Sequence, residues 1–331
     1  MLNKNFKKAY SLIELSIVIL IISVLITGAL SVSVNSINNA KIKLTNDRIA
    51  QIYKALGLYM LINKKLPCPA SLILAKGNTS YGTAFVTNEN QNCGADNSNV
   101  FNDATSPATN LVRGMVPVTS LGLHIDMAED GFGNKLGYIV DKRITAICTS
   151  AQAGFCVGFT AGATNPTGGI TVTSRSPGPV DVSTNADFAI ISQGANRSGA
   201  WAVGSTTFSV VSADTAEGYN DITTTSPFFT AQIFSSSTDS DTFDDIVFAK
   251  RRVDMVNDFN AMSLIPCEAK AANYLAGNYT LPQSLYGQIV STTNPTCATI
   301  LSPNPVTGAA YAKAKCGAFG VWDSVLAVAC F

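Results

Sequence analysis

Glu14 is the residue of this 331-residue chain whose position points most directly to a specific chemistry. It stands immediately before a run without charged residues, 15–40, and follows a leader with three lysines, Lys4, Lys7 and Lys8. An ionised carboxylate costs about 2.5–3.5 kcal/mol when it is inserted at the centre of an apolar bilayer. We therefore expect Glu14 to be neutralised by a cationic partner.

The uncharged run predicts a transmembrane helix. About 20 residues suffice for a helix to cross the roughly 30 Å hydrocarbon core of a bilayer, and residues 15–40 exceed that length. A secretory signal peptide has an apolar core of only about 7–15 residues, closed by a cleavage site with small residues. A plain signal anchor would account for the length and for the preceding lysines, which favour a cytoplasmic N-terminus. It would not account for Glu14.

The N-terminal segment resembles the class III leader of type IV pilins and type II secretion pseudopilins. Residues 10–15, YSLIEL, follow two lysines and a small residue. The resemblance implies that a prepilin peptidase cleaves between Ala9 and Tyr10 and methylates the new amine of Tyr10. It also implies that Glu14, the fifth residue of the mature chain, pairs with the terminal amine of a neighbouring subunit in a fibre. The family usually has glycine and phenylalanine where this chain has Ala9 and Tyr10.

The resemblance extends more loosely to three later segments. Residues 130–138, DGFGNKLGY, are similar to the segment that leads into the first strands of major pseudopilins. Residues 188–196 resemble the strand and Ser-x-Gly turn that follow, and residues 244–247 resemble the closing acidic strand. A Ser/Thr-rich insertion at 199–242 and the residues after Val253 have no counterpart in the compact family members.

The same resemblance implies a calcium site in the loop before the acidic strand. This chain offers four aspartates there as hard oxygen ligands, Asp239, Asp241, Asp244 and Asp245. The segment is not an EF-hand, because the glycine and the distal glutamate of that motif are missing. A solvated acidic turn beside a strand is the favoured interpretation, because runs of charged residues are usually solvated and the insertion before this segment displaces the loop. No cofactor other than calcium is expected.

The composition predicts a folded protein without affinity for nucleic acid. The 22 basic and 22 acidic residues balance, so the chain has no net charge and no electrostatic footprint for a polyanion. Apolar residues make up 47% of the chain and charged residues 13%. This balance is typical of a protein that buries a sizeable core rather than of a disordered one.

Eight cysteines form two groups of four. They are Cys68, Cys93, Cys148 and Cys156, followed by Cys267, Cys297, Cys316 and Cys330. In an exported head this even number predicts disulfides. A zinc site would need only cysteines at unusual spacings, since there is no C-x-x-C pair and His124 is the only histidine. Spacing alone does not determine the pairing, although proximity favours Cys68 with Cys93, Cys148 with Cys156, and pairs within the last four.

A long helix is predicted from about Tyr10 to Lys64. Apolar residues at spacings of seven, three, four and four lie on one helical face. They are Ile42, Ile49, Ile52, Leu56 and Met60. Basic residues and then prolines at 64–69 indicate the end of the helix. A half-buried stalk against a head explains this pattern, whereas a juxtamembrane coiled coil would need sustained heptads, which we do not find.

Eight segments rich in β-branched and aromatic residues predict an antiparallel sheet. They are residues 136–140, 144–148, 155–159, 170–173, 188–192, 208–212, 228–234 and 246–251. Residues 67–134 predict loops, because Asn, Thr, Gly and Pro are frequent there. Beyond Val253, helical composition at 253–264 and 267–275 is followed by prolines, a last strand within 318–331 and four cysteines typical of a stapled subdomain.

Catalysis has no motif in this chain. There is no G-x-S-x-G, no H-E-x-x-H and no P-loop. The glycines at 131, 133 and 137 miss the dinucleotide fingerprint by one position and lack a preceding strand. No nucleophile is tied to His124 by a motif, so the chain is predicted not to be an enzyme.

Together these observations predict an α+β fold. A long N-terminal transmembrane and stalk helix would pack on an antiparallel β-sheet head of pilin-like type, followed by a disulfide-stapled C-terminal extension. The predicted domains are a leader at 1–9, the transmembrane and stalk helix at 10–66, a β-rich head at 67–252 and a cysteine-containing subdomain at 253–331.

The predicted function is that of a structural subunit of a type II secretion pseudopilus or a type IV pilus. The size of the head favours a minor subunit. The chain would begin as a single-pass protein of the inner membrane with its head in the periplasm. Its partners would be prepilin peptidase, other pilin or pseudopilin subunits and the inner-membrane assembly platform. The alternative is a membrane-anchored periplasmic binding or adhesive protein that does not polymerise; whether a fibre would secrete, adhere, pull or take up DNA is left open.

Overall fold

The fold is given by a computed structural model. It describes residues 12–86, 93, 101–102, 111–147, 155, 169–173, 185–204, 217–221, 228–230, 243–261, 270–274, 277–281, 284, 289–294, 310–316, 322 and 327–329. Within these ranges, the side chains of 25–35 and of several short strands are outside the description.

Helix α1 comprises Leu12–Asn63 and carries a core-facing stripe where the periodicity predicts one. The buried members of this stripe are Ile49, Ile52, Leu56 and Met60. The helix ends because Lys64 adopts a positive φ of 57°, and its N–H donates to the carbonyl oxygen of Met60 at 2.8 Å. This left-handed cap satisfies one of the last carbonyl groups of the helix.

The predicted transmembrane helix is wrong. Among the described residues, no helix is both long enough and apolar enough to cross a membrane. The predicted fold class included this transmembrane helix and is corrected on that point. The predicted location, a single pass through the inner membrane with the head in the periplasm, depended on the same helix and is corrected with it.

The strands of the described residues form one main sheet and three small ones. In chain order they are β1 (Phe101–Asn102), β2 (Leu111–Met115), β3 (Gly137–Asp141), β4 (Thr171–Thr173), β5 (Phe188–Ser192), β6 (Phe228–Thr230), β7 (Ile246–Lys250), β8 (Lys270–Tyr274), β9 (Gly277–Leu281), β10 (Ile289–Asn294), β11 (Ala310–Lys315) and β12 (Ala327–Ala329). The main sheet has the order β1-β2-β3-β5-β7 and is antiparallel throughout. The small sheets are a parallel β4-β6 pair, a β8-β9 hairpin and the antiparallel β10-β11-β12 sheet.

The core lies between α1 and the main sheet. Every residue of β2, β3 and β5 is buried, as expected of strands covered on both faces. The ring of Tyr53 on α1 stacks on that of Phe188 on β5, with centroids 6.2 Å apart. The apolar stripe of α1 is therefore buried against the centre of the sheet.

The loop before β3 is fastened to the side of α1. Thr45 accepts a hydrogen bond from the N–H of Gly131 at 2.9 Å, and Arg48 donates to the carbonyl oxygens of Glu129 and Asp130 at 2.8 and 3.2 Å. Gly131 lies directly against the backbone of Lys41, which leaves no room for a Cβ atom. Only glycine permits this approach, so the loop is held in a defined position over the helix.

Helix α2, Arg252–Asp258, follows β7 and covers the same side of the core. The hydroxyl of Tyr53 donates to Asp258 Oδ2 at 2.6 Å. Phe259, which caps α2, lies against the Tyr53 ring with centroids 5.2 Å apart.

Most strand predictions that fall on described residues are confirmed, whereas part of one predicted strand and part of one predicted helix are wrong. Strands β3, β4, β5, β6 and β7 lie within or overlap predicted segments. The start of 144–148 instead belongs to a 3-10 turn, Lys142–Thr145, because the Asp141 side chain caps it by accepting the Arg143 N–H at 2.9 Å. Residues 270–274, predicted as helix, form β8 because they pair with β9. Segment 208–212 and all of 155–159 except Phe155 lie outside the described residues.

Strand β2 was predicted as a loop. Its sequence, LVRGM, contains a charge and a glycine that hide the strand signal. The glycine is required by packing, since the Cβ position of Gly114 is filled by the backbone of Ala70 and the ring of Pro69. Whether residues 111–115 form a strand therefore depends on their packing against Pro69 and Ala70, about 40 residues earlier in the chain.

The predicted disulfide between Cys68 and Cys93 is confirmed. Cys316 is also disulfide-bonded and is buried. The remaining predicted disulfide cysteines, Cys148, Cys156, Cys267, Cys297 and Cys330, lie outside the described residues. Free cysteines are absent from the described part of the chain.

Candidate functional site

Glu14 lies in the first turn of α1. An acidic residue there is favoured by the partial positive charge of the helix N-terminus. Ala9 and Tyr10, the predicted processing residues, lie outside the described residues. Glu14 therefore lies at the start of the helix. The pairing of its carboxylate with the amine of Tyr10 on a neighbouring subunit remains a prediction.

The helical turns around Glu14 present apolar side chains on every side. Exposed fractions are 87% for Leu12, 54% for Leu15, 59% for Ile19 and 65% for Val24. A helix that is apolar all round is ordinarily buried in protein or lipid. An exposed apolar surface of this extent marks an interaction site.

The two serines of this segment satisfy their hydroxyl groups within the helix. Ser16 Oγ donates to the carbonyl oxygen of Ile13, and Ser23 Oγ donates to that of Leu20, each at 2.8 Å. Such back-bonding removes the need for water at these hydroxyl groups. The segment is thus suited to enter an apolar environment as a helix.

A second candidate site includes Asp130. Its side chain connects two of the segments that resemble pseudopilins, residues 130–138 and 188–196. Asp130 Oδ2 accepts hydrogen bonds from the Ser192 hydroxyl at 2.7 Å and from the Asn134 amide at 3.1 Å. The same Asn134 amide donates to the carbonyl oxygen of Gly194 at 2.8 Å. Burial raises the pKa of Asp130, although these hydrogen bonds oppose the rise. This network holds the turn after β5 against the loop before β3.

The turn after β5 supports a cluster of three acidic side chains, Glu217, Asp244 and Asp245. Each offers a carboxylate oxygen, and these oxygens lie within 4.8 Å of one another. Gly194 has a φ of +61°, and its missing Cβ leaves the space that the Asp244 carboxylate occupies. The turn and the strand entrance therefore fit together only with glycine at 194.

Backbone and amide groups orient the three carboxylates. Asp244 Oδ2 accepts the N–H groups of Ala195 and Asn196 at 2.6 and 2.8 Å. The Asn196 amide donates to both oxygens of Glu217 at 2.8 Å. The Asn220 amide donates to Asp245 Oδ2 at 2.8 Å.

The electrostatics of the cluster favour a bound positive charge or proton. Burial raises the pKa of Asp245 well above its usual range, and Glu217 and Asp244 add to the rise. Burial also raises the pKa of Glu217. Asp244 Oδ1 and Asp245 Oδ1 are buried and accept no hydrogen bond. Buried carboxylates of this kind are stable when they are protonated or coordinate a metal.

The observed cluster overlaps only half of the predicted calcium ligands. Asp244 and Asp245 belong to it, whereas Asp239 and Asp241 lie outside the described residues. Glu217 was missed, because it is 27 residues before Asp244 in the Ser/Thr-rich insertion. Its one sequence signal is that it is the only glutamate of that insertion.

The donor set fits a hard divalent cation. Calcium takes about 6–8 oxygen ligands, largely carboxylate and carbonyl. Glu217, Asp244 and Asp245 would hold it, and the two oxygens without hydrogen bonds, Asp244 Oδ1 and Asp245 Oδ1, would be available as ligands. Bound calcium would neutralise the buried charge of the cluster and tie the insertion to β7.

Comparison with known proteins adds no relative: no protein-family model, no curated protein and no solved structure matches this chain.

Proposed function

We propose that this chain is a subunit of a pilin-like filament that packs onto its neighbours through residues 12–24 of α1. The observation that carries the proposal is the exposure of apolar side chains on all sides of this segment, 87% at Leu12 and 65% at Val24. Burial of apolar surface yields about 25 cal/mol for each Å² removed from water. A bundle of such helices at the centre of a filament would provide that burial.

Glu14 supplies the specificity of this packing. Prepilin peptidase cleaves between Ala9 and Tyr10, and the amine of Tyr10 on one subunit pairs with the Glu14 carboxylate of the next. Within an apolar bundle an unpaired charge is costly, while a paired one fixes the register of its neighbours. The proposal rests on the position of Glu14 in the first turn, among exposed apolar residues.

The sheet, the acidic cluster and the C-terminal strands form the head that such a filament displays. The large head favours a minor subunit of a type II secretion pseudopilus or type IV pilus. The role is structural rather than catalytic. A second proposal is that calcium binds Glu217, Asp244 and Asp245 and stiffens the head.

The filament proposal is tested by the mature N-terminus and by assembly of a Glu14→Ala variant. We expect mass spectrometry to find a methylated Tyr10 terminus when the chain is expressed with a prepilin peptidase and its partner subunits. Glu14→Ala should reduce recovery in sheared filaments by roughly tenfold or more, because the neighbouring amine is left unpaired. Ser16→Ala is the matched control, since Ser16 is an uncharged residue of the same exposed segment.

Two results would overturn the proposal. One is a chain that keeps its first residues in the presence of the peptidase. The other is unchanged recovery of Glu14→Ala in filaments. Either result would favour a binding or adhesive protein that does not polymerise.

A further inference from the structure

The first part of α1 has exposed side chains, and burial begins only at Thr45. Among the side chains described at 12–24 and 36–40, all are exposed except that of Asn38, which is half-buried. Thr45 is the first described residue of the helix that is buried. From Leu12 to Thr45 the helix extends about 50 Å. The direction of this long segment is therefore set at the place where the helix meets the head.

A contact here called the collar joins α1 to the loop before β3 at that place. On the helix it comprises Lys41, Thr45 and Arg48, which are spaced by four and three residues and share one face. On the loop it comprises residues 129–132. Thr45 Oγ1 accepts the Gly131 N–H at 2.9 Å and donates to the carbonyl oxygen of Lys41, also at 2.9 Å. The backbones of Gly131 and Lys41 touch, because no Cβ atom separates them.

The two cationic side chains of the collar complete it. Arg48 donates to the carbonyl oxygens of Glu129 and Asp130 at 2.8 and 3.2 Å. Lys41 Nζ lies 5.7 Å from the centroid of the Phe132 ring. The hydrogen bonds from helix to loop thus end on backbone groups of the loop. Because hydrogen bonds are directional, they oppose rocking of the helix more strongly than apolar packing, which is not directional.

The loop side of the collar is itself held to the main sheet. Asp130 Oδ1 accepts the N–H groups of Phe132 and Asn134, each at 2.8 Å. Asp130 Oδ2 accepts the hydroxyl of Ser192 on β5. The loop then continues into β3 at Gly137. The collar therefore fixes α1 relative to the sheet and not merely relative to a surface loop.

α1 has a second contact with the head at Tyr53, whose ring stacks on that of Phe188. Tyr53 is about 18 Å beyond Lys41 along the helix axis. Two contacts at this separation define a direction, which one contact alone does not. If the helix turns about Tyr53, a displacement of about 1 Å at Lys41 becomes about 2.5 Å at Ser23 and about 3.4 Å at Leu12.

We propose that Thr45, Arg48 and Gly131 are positioning residues, which set the direction in which residues 12–40 leave the head. Packed helices lie about 8–10 Å apart. A tilt of about 10° at Thr45 moves Leu12 by about 9 Å, a full helix spacing. A filament of many copies needs one common direction, and the collar supplies it. This consequence rests on the proposed filament, whereas the direction of the helix is a property of the single chain.

Double electron–electron resonance measures this direction in the full chain, dispersed as single copies in detergent. One nitroxide is placed on α1 at Ser23→Cys, and the other on the head at Thr79→Cys or Asn257→Cys, all exposed positions. Two head positions are used because a tilt can leave a single distance unchanged. The chain without introduced cysteines, treated with the same label, is the blank.

Gly131→Ala should change the mean distance of at least one label pair by roughly 2–3 Å. The added Cβ atom meets backbone atoms of Lys41, which cannot rotate away as a side chain would. Gly204→Ala is the matched control, because nothing lies within 4 Å of the Cβ position at Gly204. Its distances should equal those of the wild type.

The double variant Thr45→Val with Arg48→Met removes the hydrogen bonds of the collar without adding bulk. We expect the distance distributions to broaden by several ångström, since a tilt of about 10° at Thr45 moves Ser23 by about 6 Å. Lys54→Met, at an exposed basic residue of the same helix, should leave them unchanged. Arg48→Met alone changes a half-buried residue and decides the question if a buried substitution prevents folding. Wild-type distributions in the folded collar variants would contradict the proposal.

A Glu14→Ala background separates this result from the fate of the filament. Glu14 lies in the first turn of α1, away from the collar, so the distances should not change. Shifted distances in a chain that forms no filament would support the collar and overturn the filament. Unshifted distances in a chain that does form filaments would overturn the collar alone.

Discussion

The ring of Phe259 occupies the space that a Cβ atom at Gly57 would need, so α1 and the end of α2 touch without an intervening side chain. The Phe259 ring also packs against Tyr53, one turn earlier on α1. A glycine in a helix interior is unfavourable relative to alanine by about 1 kcal/mol. Its position here is explained by this close contact.

Gly57→Ala is therefore expected to destabilise the fold despite the better helix propensity of alanine. Overpacking in a core costs about 1–3 kcal/mol, and we expect a net loss of about 1–2 kcal/mol in urea unfolding. The double variant Gly57→Ala with Phe259→Ala should be more stable than the sum of the two single changes predicts, since the clash is removed. Additive losses would show that the two residues do not contact.

A buried charge pair predicts a pH dependence of stability. Asp187 Oδ2 accepts the Arg252 N–H at 2.7 Å, and Asp187 Oδ1 lies 3.5 Å from Arg252 Nε. Burial raises the pKa of Asp187 to about 6, an effect that Asp141 reinforces and that Arg252 and Arg143 oppose. Since the folded pKa exceeds the unfolded value, the contribution of Asp187 to stability is full below about pH 4 and declines as the pH rises to about 6.

Asp187→Asn should remove this dependence while its side-chain oxygen still accepts the Arg252 N–H. Between pH 4 and pH 7 the wild type should lose on the order of 3 kcal/mol relative to the variant. Asp254→Asn is a control of opposite sign, because a hydrogen bond from Arg251 lowers the pKa of Asp254. In the wild type, the contribution of Asp254 to the free energy of unfolding is present at neutral pH and is lost as the pH falls. Equal slopes for wild type and Asp187→Asn in urea unfolding across this range would refute the assignment.

The disulfide between Cys68 and Cys93 closes a loop of 25 residues next to the end of α1. The chain-entropy model predicts that replacing both cysteines with serine lowers the free energy of unfolding by about 3.5 kcal/mol. Substitution is preferable to a reducing agent, because Cys316 is disulfide-bonded as well. A loss below about 1 kcal/mol would show that the loop is already ordered in the unfolded chain.

Calcium should stabilise the head at neutral pH. At a concentration of 100 times its dissociation constant, calcium would add about 2.7 kcal/mol and raise the melting temperature by about 5 °C. The effect should shrink at pH 5, because the raised pKa of Asp245 and of Glu217 favours protons over the metal. Asp245→Asn should abolish the effect in calorimetry, while Asp47→Asn, an exposed carboxylate on α1, should retain it. A calcium response that survives Asp245→Asn would place the ion elsewhere.

The parts of the fold that depend on residues close together in the chain were predictable from the sequence. The buried stripe of α1 follows from apolar spacing, and its end follows from Lys64 and the prolines beyond it. Strands β5 and β7 were visible as β-branched runs. The pairing of Cys68 with Cys93 followed from proximity along the chain.

The acidic site was only partly predictable, because its members come from distant positions. Asp244 and Asp245 are adjacent in a visible acidic segment, but Glu217 reaches them through the hydrogen bond from Asn196. Nothing in its local sequence distinguishes Glu217 from an ordinary surface glutamate.

The sequence by itself determined the start and spacing of the helix faces and the position of Glu14, because helical periodicity and charge are properties of neighbouring residues. The tertiary structure decided that β2 is a strand and that Glu217 joins Asp244 and Asp245. These outcomes depend on contacts between residues far apart in the chain, such as Gly114 with Ala70. Local propensity carries no information about such contacts, since their free energy arises only when the distant surfaces meet.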